Sequence, residues 1–305
     1  MLAEQGLDPN VVTLAVTTDP TVTQALARHP AVASIDFTGG NAFGQWLRAN
    51  ASQARVYAEM AGVNTIVIES TDQYTAMLRN IAFSLSLYSG QMCTTTQNIL
   101  IPRGGIATDQ GHKTFAQVGE DLTAAITQWL SAPKVATTVL GAVGSPDTLA
   151  RIEASSAHGK TVLASRRLAH PAYPEAEIRT PAIIALDQAD TDVYTRECFG
   201  PVSYLVATDS REGAAALAQS VIREHGAMTL GVYSTDASYV DQMIAVSRRA
   251  RVALSINLTQ DVYVNQSVSF SDYHGTGGNP AANASYTNLA FVADRFVIVQ
   301  RREHA

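Results

Sequence analysis

Cysteine is scarce in this sequence, which has two cysteines among 305 residues. Two thiols cannot form a disulfide framework in so long a chain, so each is interpreted as a buried apolar side chain or as a reactive group. The seven histidines show no metal-ligand spacing with the cysteines, and no metal is therefore expected.

Basic clusters and long apolar runs are missing as well. Lys and Arg occur in groups of at most two or three, and the formal net charge is −6, which argues against a nucleic-acid partner. No run approaches the roughly eighteen apolar residues that cross a bilayer, so no membrane association is expected. The first residues lack the basic and apolar regions of a signal peptide, which predicts a cytoplasmic location.

What the sequence does contain is an alternation of short β-rich runs and helical segments. With 46% apolar residues the chain can bury a sizeable core, and the alternation predicts an α/β fold with parallel strands and crossover helices. The predicted strands are 11–16, 33–37, 55–59, 65–68, 161–163, 182–186, 199–206, 228–233, 252–256 and 291–300. The main predicted helices are 20–28, 72–87, 115–130, 146–157, 213–224 and one ending near 249. Residues 259–284 are expected to form a long loop, and the terminal strand is expected to pair with a neighbouring subunit.

A glycine-rich turn follows the second predicted strand and leads into a helix. Gly39, Gly40 and Gly44 would let backbone N–H groups approach an anion at the helix N-terminus, which suits a phosphate. Gln45 stands where a phosphate-binding lysine would be required, so the turn does not match a Walker A loop. An ordinary connecting turn is the alternative.

Cys93 and Glu59 are the candidate catalytic pair. Cys93 follows Gly90 and Gln91 just after a predicted helix, where a bend can present a nucleophilic thiol; the alternative is a small buried side chain. Glu59 ends a predicted strand among apolar neighbours that suit a general base; the alternative is a surface glutamate.

A third candidate segment covers residues 196–201. In the functional interpretation, Glu197 accepts hydrogen bonds from a ribose and Phe199 packs on a flat ring. The alternative interpretation is a charged turn that enters a strand, with Cys198 buried as an apolar residue.

Together these segments resemble the aldehyde dehydrogenase superfamily. The resemblance rests on the order and spacing of four motifs, at residues 37–44, 59–64, 90–93 and 197–202. Residues 273–284 are similar to the phenylacetate-degradation branch of that superfamily. The resemblance implies three parts. Residues 1–61 would be the remaining part of a Rossmann-type cofactor domain, residues 62–275 the α/β catalytic domain, and residues 276–305 a return segment and an oligomerisation strand.

The resemblance also implies an activity and a role for each candidate residue. Cys93 would attack an aldehyde, Glu59 would activate the hydrolytic water, and NAD or NADP would be the cofactor. Glu197 and Phe199 would hold the nicotinamide ribose and ring, and the turn containing Gly39, Gly40 and Gly44 would lie by the pyrophosphate. The implied substrate is a semialdehyde of aromatic catabolism, with a coenzyme A thioester as a further option, and the implied assembly is a homo-oligomer.

The sequence departs from the family pattern in three ways. Gly40 replaces the usual serine, and Met60-Ala61 replaces the usual Leu-Gly. The family's oxyanion-binding asparagine and adenine-ribose lysine lie far upstream of the glutamate, so the chain is expected to resemble only the second part of the fold, with the N-terminal part missing. Two alternatives follow. One is a truncated, catalytically silent remnant or assembly module, and the other is a cofactor-independent esterase or acyl-transfer site that uses Cys93 and Glu59.

Overall fold

The computed structural model describes residues 2–259, 277–284 and 288–293. Its centre is a sheet of seven strands, namely β3 (Thr65–Ile68), β5 (Asn98–Pro102), β8 (Lys160–Leu163), β11 (Ala182–Asp187), β12 (Val202–Thr208), β13 (Thr229–Tyr233) and β14 (Ala253–Ile256). Their order in the sheet is β14-β13-β3-β5-β12-β11-β8. Neighbouring strands are parallel except β8, which runs antiparallel to β11 at the edge.

Helices cover both faces of this sheet, because successive side chains of each central strand point to opposite sides. Val67 and Leu100 face one apolar cluster, and Ile66 and Ile99 face the other. The covering helices are α3 (Tyr74–Ser86), α4 (Phe115–Trp129), α8 (Arg211–His225) and α9 (Ala237–Ala250). Helices α8 and α9 complete the first cluster, and α3 and α4 complete the second. This arrangement confirms the predicted α/β fold with crossover helices.

A separate two-stranded parallel sheet precedes the main one. Strand β1 (Ser34–Thr38) pairs with β2 (Arg55–Glu59), and helix α2 (Asn41–Asn50) connects them. Asp19 is the N-cap of helix α1 (Pro20–Ala27), and its carboxylate accepts a hydrogen bond from the Thr21 N–H. The strand–turn–helix unit predicted from the glycines is therefore present.

The remaining elements are short. They are β4 (Ser70–Thr71), β6 (Ile106–Thr108), β7 (Gly111–Lys113), β9 (Arg167–His170), β10 (Tyr173–Arg179), α5 (Pro133–Val139), α6 (Pro146–Ala154), α7 (Thr191–Tyr194) and α10 (Leu289–Ala293). The antiparallel pairs β6–β7 and β9–β10 were not among the predicted strands. Within the described residues, no helix is both long and apolar enough to span a membrane.

Three predicted strands need correction. Residues 11–16 form no strand, because Val11 ends a short 3-10 helix and the following residues pair with no neighbour in the described structure. The strand predicted to start at 199 begins at Val202, since Gly200 has a φ of +133° and Pro201 has no N–H to donate. Residues Leu289–Ala293 form a helix, not the start of a strand, and most of the predicted strand 291–300 lies outside the described residues.

Candidate active site

The Cys93 thiol is presented by an unusual turn that follows α3. Tyr88 and Ser89 have φ angles of 51° and 53°, and Gly90 continues the left-handed run at 67°. Left-handed backbone is costly for residues with a Cβ and is often found at functional sites, where surrounding contacts hold it. The left-handed residues therefore define the direction in which the chain enters the segment that carries Cys93.

Hydrogen bonds to a neighbouring loop hold this turn in place. Ser89 Oγ donates to the Gly141 carbonyl at 2.8 Å. Gln91 Nε2 donates to the carbonyls of Tyr88 and Ala142, both at 3.0 Å. The left-handed residues are thus bound on both sides of the bend, and Cys93 emerges half-buried beyond it.

Glu59 ends β2, where the two edges of the strand have different partners. On one edge, the Glu59 carbonyl accepts a hydrogen bond from Gly39 N–H at 3.1 Å. On the other, Met60 N–H donates to the Ala281 carbonyl at 2.6 Å, and Glu59 bridges to Ala282. The candidate base is held between the glycine turn and residues 281–282.

Asn283 strengthens the second of these edges. Its side-chain oxygen accepts a hydrogen bond from Ala58 N–H at 2.8 Å, and its amide donates to the Val56 carbonyl at 2.8 Å. A single side chain therefore forms strand-like hydrogen bonds with the backbone of β2 at two positions, Val56 and Ala58. This fixes the direction in which β2 delivers Glu59.

The three glycines of the turn have different surroundings. A Cβ on Gly40 would meet no heavy atom within 4 Å, and Gly40 is the N-cap of α2 without a side-chain hydrogen bond. A Cβ on Gly39 would lie 2.5 Å from the Phe37 ring, and one on Gly44 would lie 2.5 Å from Met60 Sδ. Gly40 is thus open to a ligand, whereas Gly44 permits close packing of α2 on the strand.

Glu197 is a partly buried carboxylate with one neutral and one charged partner. Asn41 Nδ2 donates to Glu197 Oε2 at 2.6 Å, and Arg151 lies close enough to act on it electrostatically. Burial raises the pKa of the Glu197 carboxyl above its ordinary value, and the Arg151 charge and the Asn41 hydrogen bond oppose that rise. Glu197 is therefore a hydrogen-bond acceptor in a poorly hydrated place.

Phe199 is held by its backbone, and its ring remains accessible. The Arg151 guanidinium donates to the Phe199 carbonyl from Nε at 3.2 Å and from Nη2 at 3.1 Å. Arg151 Nη2 also donates to Thr148 Oγ1 at 2.8 Å, which anchors the guanidinium on α6. Phe199 is 37% exposed, so its ring is accessible for packing against a ligand.

A cavity of about 640 Å³ brings the predicted residues together. This volume lies within the usual range for small-molecule sites. Six of the seven predicted site residues line it: Gly39, Gly40, Glu59, Cys93, Glu197 and Phe199. The seventh, Gly44, packs against Met60 instead. Residues from four distant parts of the sequence therefore meet in one space.

The second cysteine occupies a different environment. Cys198 is 8% exposed, and burial raises the pKa of its thiol, which is hydrogen-bonded to Tyr204. Its backbone N–H donates to Gln97 Oε1 at 2.6 Å. These features agree with the interpretation of Cys198 as a buried apolar residue.

Three residues that shape the site had no assigned role in the sequence analysis. Asn41 and Asn283 lie within the compared motifs, but their partners are far away in the sequence. Arg151 lies on α6 in a stretch with no recognisable motif. For Asn41 the sequence offers one signal, a polar residue beside a glycine turn, and that pattern is too common to assign a role.

The chain belongs to the aldehyde dehydrogenase family, whose model matches residues 1–291. It is 50% identical to an NAD-dependent aldehyde dehydrogenase of Burkholderia multivorans, whose crystal structure superposes with a TM-score of 0.93 over 100% of this chain and 55% of that chain.

Curated relatives are more distant in sequence. An alpha-ketoglutaric semialdehyde dehydrogenase of Bacillus subtilis (strain 168) is 26% identical over 72% of this chain and 44% of its own length. An N-succinylglutamate 5-semialdehyde dehydrogenase of Acinetobacter baylyi is 25% identical over 86% of this chain and 52% of its own length. The chain thus spans about half the length of the curated relatives it matches.

Proposed function

We propose that this chain forms the catalytic part of an NAD(P)-dependent dehydrogenase that oxidises an aldehyde to a carboxylic acid. The observation that supports this most is the cavity, which both Cys93 and Glu59 line together with Gly40, Glu197 and Phe199. Such a reaction requires a nucleophile, a general base and an open turn that can bind an anion, all in one space.

The described residues fit the nicotinamide half of the cofactor. Gly40 leaves open space at the N-terminus of α2, where backbone N–H groups favour a phosphate. Glu197 would accept hydrogen bonds from the ribose, and the accessible Phe199 ring would pack against the nicotinamide. When bound, NAD or NADP supplies the acceptor for the hydride that leaves the substrate carbon.

Cys93 and Glu59 account for the bond changes on the substrate. Cys93 Sγ forms a bond to the aldehyde carbon while the carbonyl π bond breaks and the oxygen gains a proton, which gives a thiohemiacetal. Once the carbon has been oxidised to a thioester, Glu59 removes a proton from water as its oxygen attacks. The C–S bond then breaks, and the acid and the Cys93 thiol are released.

A semialdehyde is the proposed substrate class. The support is that two relatives bear the names of semialdehyde dehydrogenases, although they are 26% and 25% identical to this chain. The narrower proposal, a ring-opened product of phenylacetate degradation with coenzyme A as an option, rests on the sequence of residues 273–284 alone.

The proposal is tested by the absorbance of reduced nicotinamide when the chain is mixed with NAD or NADP and an aliphatic semialdehyde. Cys93→Ala should abolish product, whereas the matched variant Cys198→Ala should retain it, because Cys198 is buried beside Tyr204. Glu59→Gln should retain a single turnover and slow the steady state by about 10²–10⁴-fold. Product formation that survives Cys93→Ala would contradict the proposal.

A second function, as an assembly module, is favoured by the N-terminal segment. Leu14 and Val16 are 86% and 83% exposed, and within the described residues β1 and β2 form a parallel sheet of two strands. Parallel sheets are normally covered on both faces, so the small sheet and the exposed apolar side chains both suit contact with a further polypeptide segment. Two results together would support this function instead. The chain would show no turnover of its own, and it would bind a longer homologue equally well with and without the Cys93→Ala substitution.

A further inference from the structure

Asn64 forms four side-chain hydrogen bonds in the interior behind the cavity, where it is 2% exposed. Its Nδ2 group donates to the Cys93 carbonyl at 2.7 Å and to the Thr95 carbonyl at 3.0 Å. Its Oδ1 atom accepts from the N–H groups of Met228 and Thr229 at 2.9 and 3.0 Å. An amide offers two N–H donors and two lone pairs, so each group has a partner and the orientation of the amide is defined.

These bonds join three segments that are distant in the sequence. Asn64 closes the motif that starts with Glu59, the two carbonyls belong to the Cys93 turn, and the two N–H groups open β13. The Asn64 main chain adds to this link, because its carbonyl accepts from Gln97 and Asn98 N–H groups at 3.0 Å. The turn is consequently tied to the sheet immediately on both sides of Thr94.

We propose that Asn64 is the positioning residue that fixes the Cys93 thiol relative to Glu59. It lines no part of the large cavity and acts through the Cys93 and Thr95 carbonyls, whose positions set the direction of the Cys93 side chain. This inference rests on the proposed nucleophilic role of Cys93. An error of about 1 Å in placing a reacting group can lower a rate about a hundredfold, so two bonds on this turn have catalytic consequences.

The chemistry of the amide suggests a graded series of variants. Asn64→Asp keeps two acceptor positions for Met228 and Thr229, but places a carboxylate against the Cys93 and Thr95 carbonyls. Asn64→Ala loses both sets of bonds. Asn64→Ser keeps one donor and leaves space for a water molecule, so it is the mildest change. Asn80→Asp is the matched control, because Asn80 is also buried and its side-chain oxygen accepts a hydrogen bond from the Tyr233 hydroxyl, away from the Cys93 turn.

The test compares iodoacetamide labelling of the two cysteines in the intact chain, quantified by mass spectrometry. Release of the turn should make Cys93 react about tenfold faster in Asn64→Asp and Asn64→Ala, with a smaller increase in Asn64→Ser. The buried Cys198 should stay as unreactive as in the wild type. Global loosening would instead speed up both cysteines, and that result would overturn the inference, as would unchanged labelling of Cys93 in folded variants.

A turnover measurement separates positioning from the proposed function. We expect kcat to fall about 10–100-fold in the Asn64 variants while KM for the aldehyde changes less than about threefold. Asn80→Asp should change neither the labelling rates nor the ratio of kcat to KM. If the wild type shows no dehydrogenase activity but the Asn64 variants still label selectively at Cys93, the positioning inference stands and the proposed function falls.

Discussion

Asn41 and Glu197 are joined by a hydrogen bond of 2.6 Å, although 156 positions separate them in the sequence. Asn41 is the first residue of α2 beside the glycine turn, and Glu197 lines the cavity. The bond therefore connects the segment proposed for the pyrophosphate with the carboxylate proposed for the ribose. It also opposes the rise in the Glu197 pKa that burial causes.

Removing the Asn41 amide should shift the Glu197 pKa further upward. In Asn41→Ala the carboxylate loses a donor that favours its charged form, while its burial remains. NMR titration of the labelled glutamate carboxyl measures the shift directly. Asn50→Ala is the control, since Asn50 lies at the other end of α2 and donates to the Trp46 carbonyl. An unchanged pKa of the Glu197 carboxyl in Asn41→Ala would show that the hydrogen bond does not stabilise its charged form.

Glu197→Gln should stabilise the chain near neutral pH. The folded pKa of Glu197 lies above its ordinary value of 4.5, so its contribution to stability is complete below pH 4.5 and is lost as pH rises through the folded pKa. Glutamine does not ionise and still offers an oxygen to Asn41. Urea unfolding at neutral pH should therefore show a gain that disappears below pH 4.5, whereas exposed Glu175→Gln should show no such gain. Equal stability of Glu197→Gln and wild type at neutral pH would contradict this expectation.

Gly40→Ser should be tolerated and slightly stabilising. The position is open and extended, with a φ of −71° and a ψ of 150°, and serine at an N-cap is favoured over glycine by a few tenths of a kcal/mol. Thermal unfolding should show an equal or higher Tm. Gly39→Ser is the contrasting variant, because its Cβ would lie 2.5 Å from the Phe37 ring. Similar losses in both variants would refute the distinction between the two glycines.

Gly90→Ala should destabilise the chain more than alanine at either of two comparison glycines. Gly90 has a φ of +67°, and a Cβ added to it would lie 2.5 Å from the Gly200 carbonyl oxygen. Gly111 has a φ of +89° in open space, so its alanine variant should lose only the left-handed backbone term of about 1–2 kcal/mol. Gly104 has neither constraint and should change little. Urea unfolding should rank the three losses in that order, and a Gly90 loss no larger than that of Gly111 would argue against close packing of the turn.

The exposed apolar segment near the N-terminus should contribute little to the stability of this chain. Leu14 and Val16 are 86% and 83% exposed, so replacing both with serine should change the free energy of unfolding by less than about 1 kcal/mol. Leu47→Ala, at a position that is 1% exposed, should lose about 2–5 kcal/mol. A comparable loss in the double serine variant would mean that residues 11–16 pack more closely than their exposure indicates.

The sequence predicted those parts of the fold that depend on local patterns. Runs such as 65–68 and 228–233 contain β-branched and apolar residues suited to buried parallel strands, and both are strands in the structure. The glycine turn and the Gly-Gln-Met-Cys motif likewise predicted bends, and Gly40 is the N-cap of α2 while Cys93 lies in a turn. A strand also needs a partner, which local pattern does not encode, and residues 11–16 consequently gave a wrong prediction.

The finer geometry of the site could not be predicted, because it depends on polar contacts between distant residues. Arg151 reaches the Phe199 carbonyl across 48 positions, and Asn41 reaches Glu197 across 156. Neither contact follows a helical or strand period. The roles of Gly39 and Gly44 also separate only in three dimensions, where one lines the cavity and the other packs on Met60.

The bond between Ala58 and Asn283 spans 225 positions and has a consequence for synthesis. Ribosomes extend chains at about 5–20 residues per second, so Ala58 is made on the order of ten to forty-five seconds before its partner. During that interval β2 has β1 available but not residues 281–283. Glu59 is therefore held on both edges of β2 only after residue 283 has been made, whereas Cys93 and the loop at 141–142 that holds its turn are made earlier.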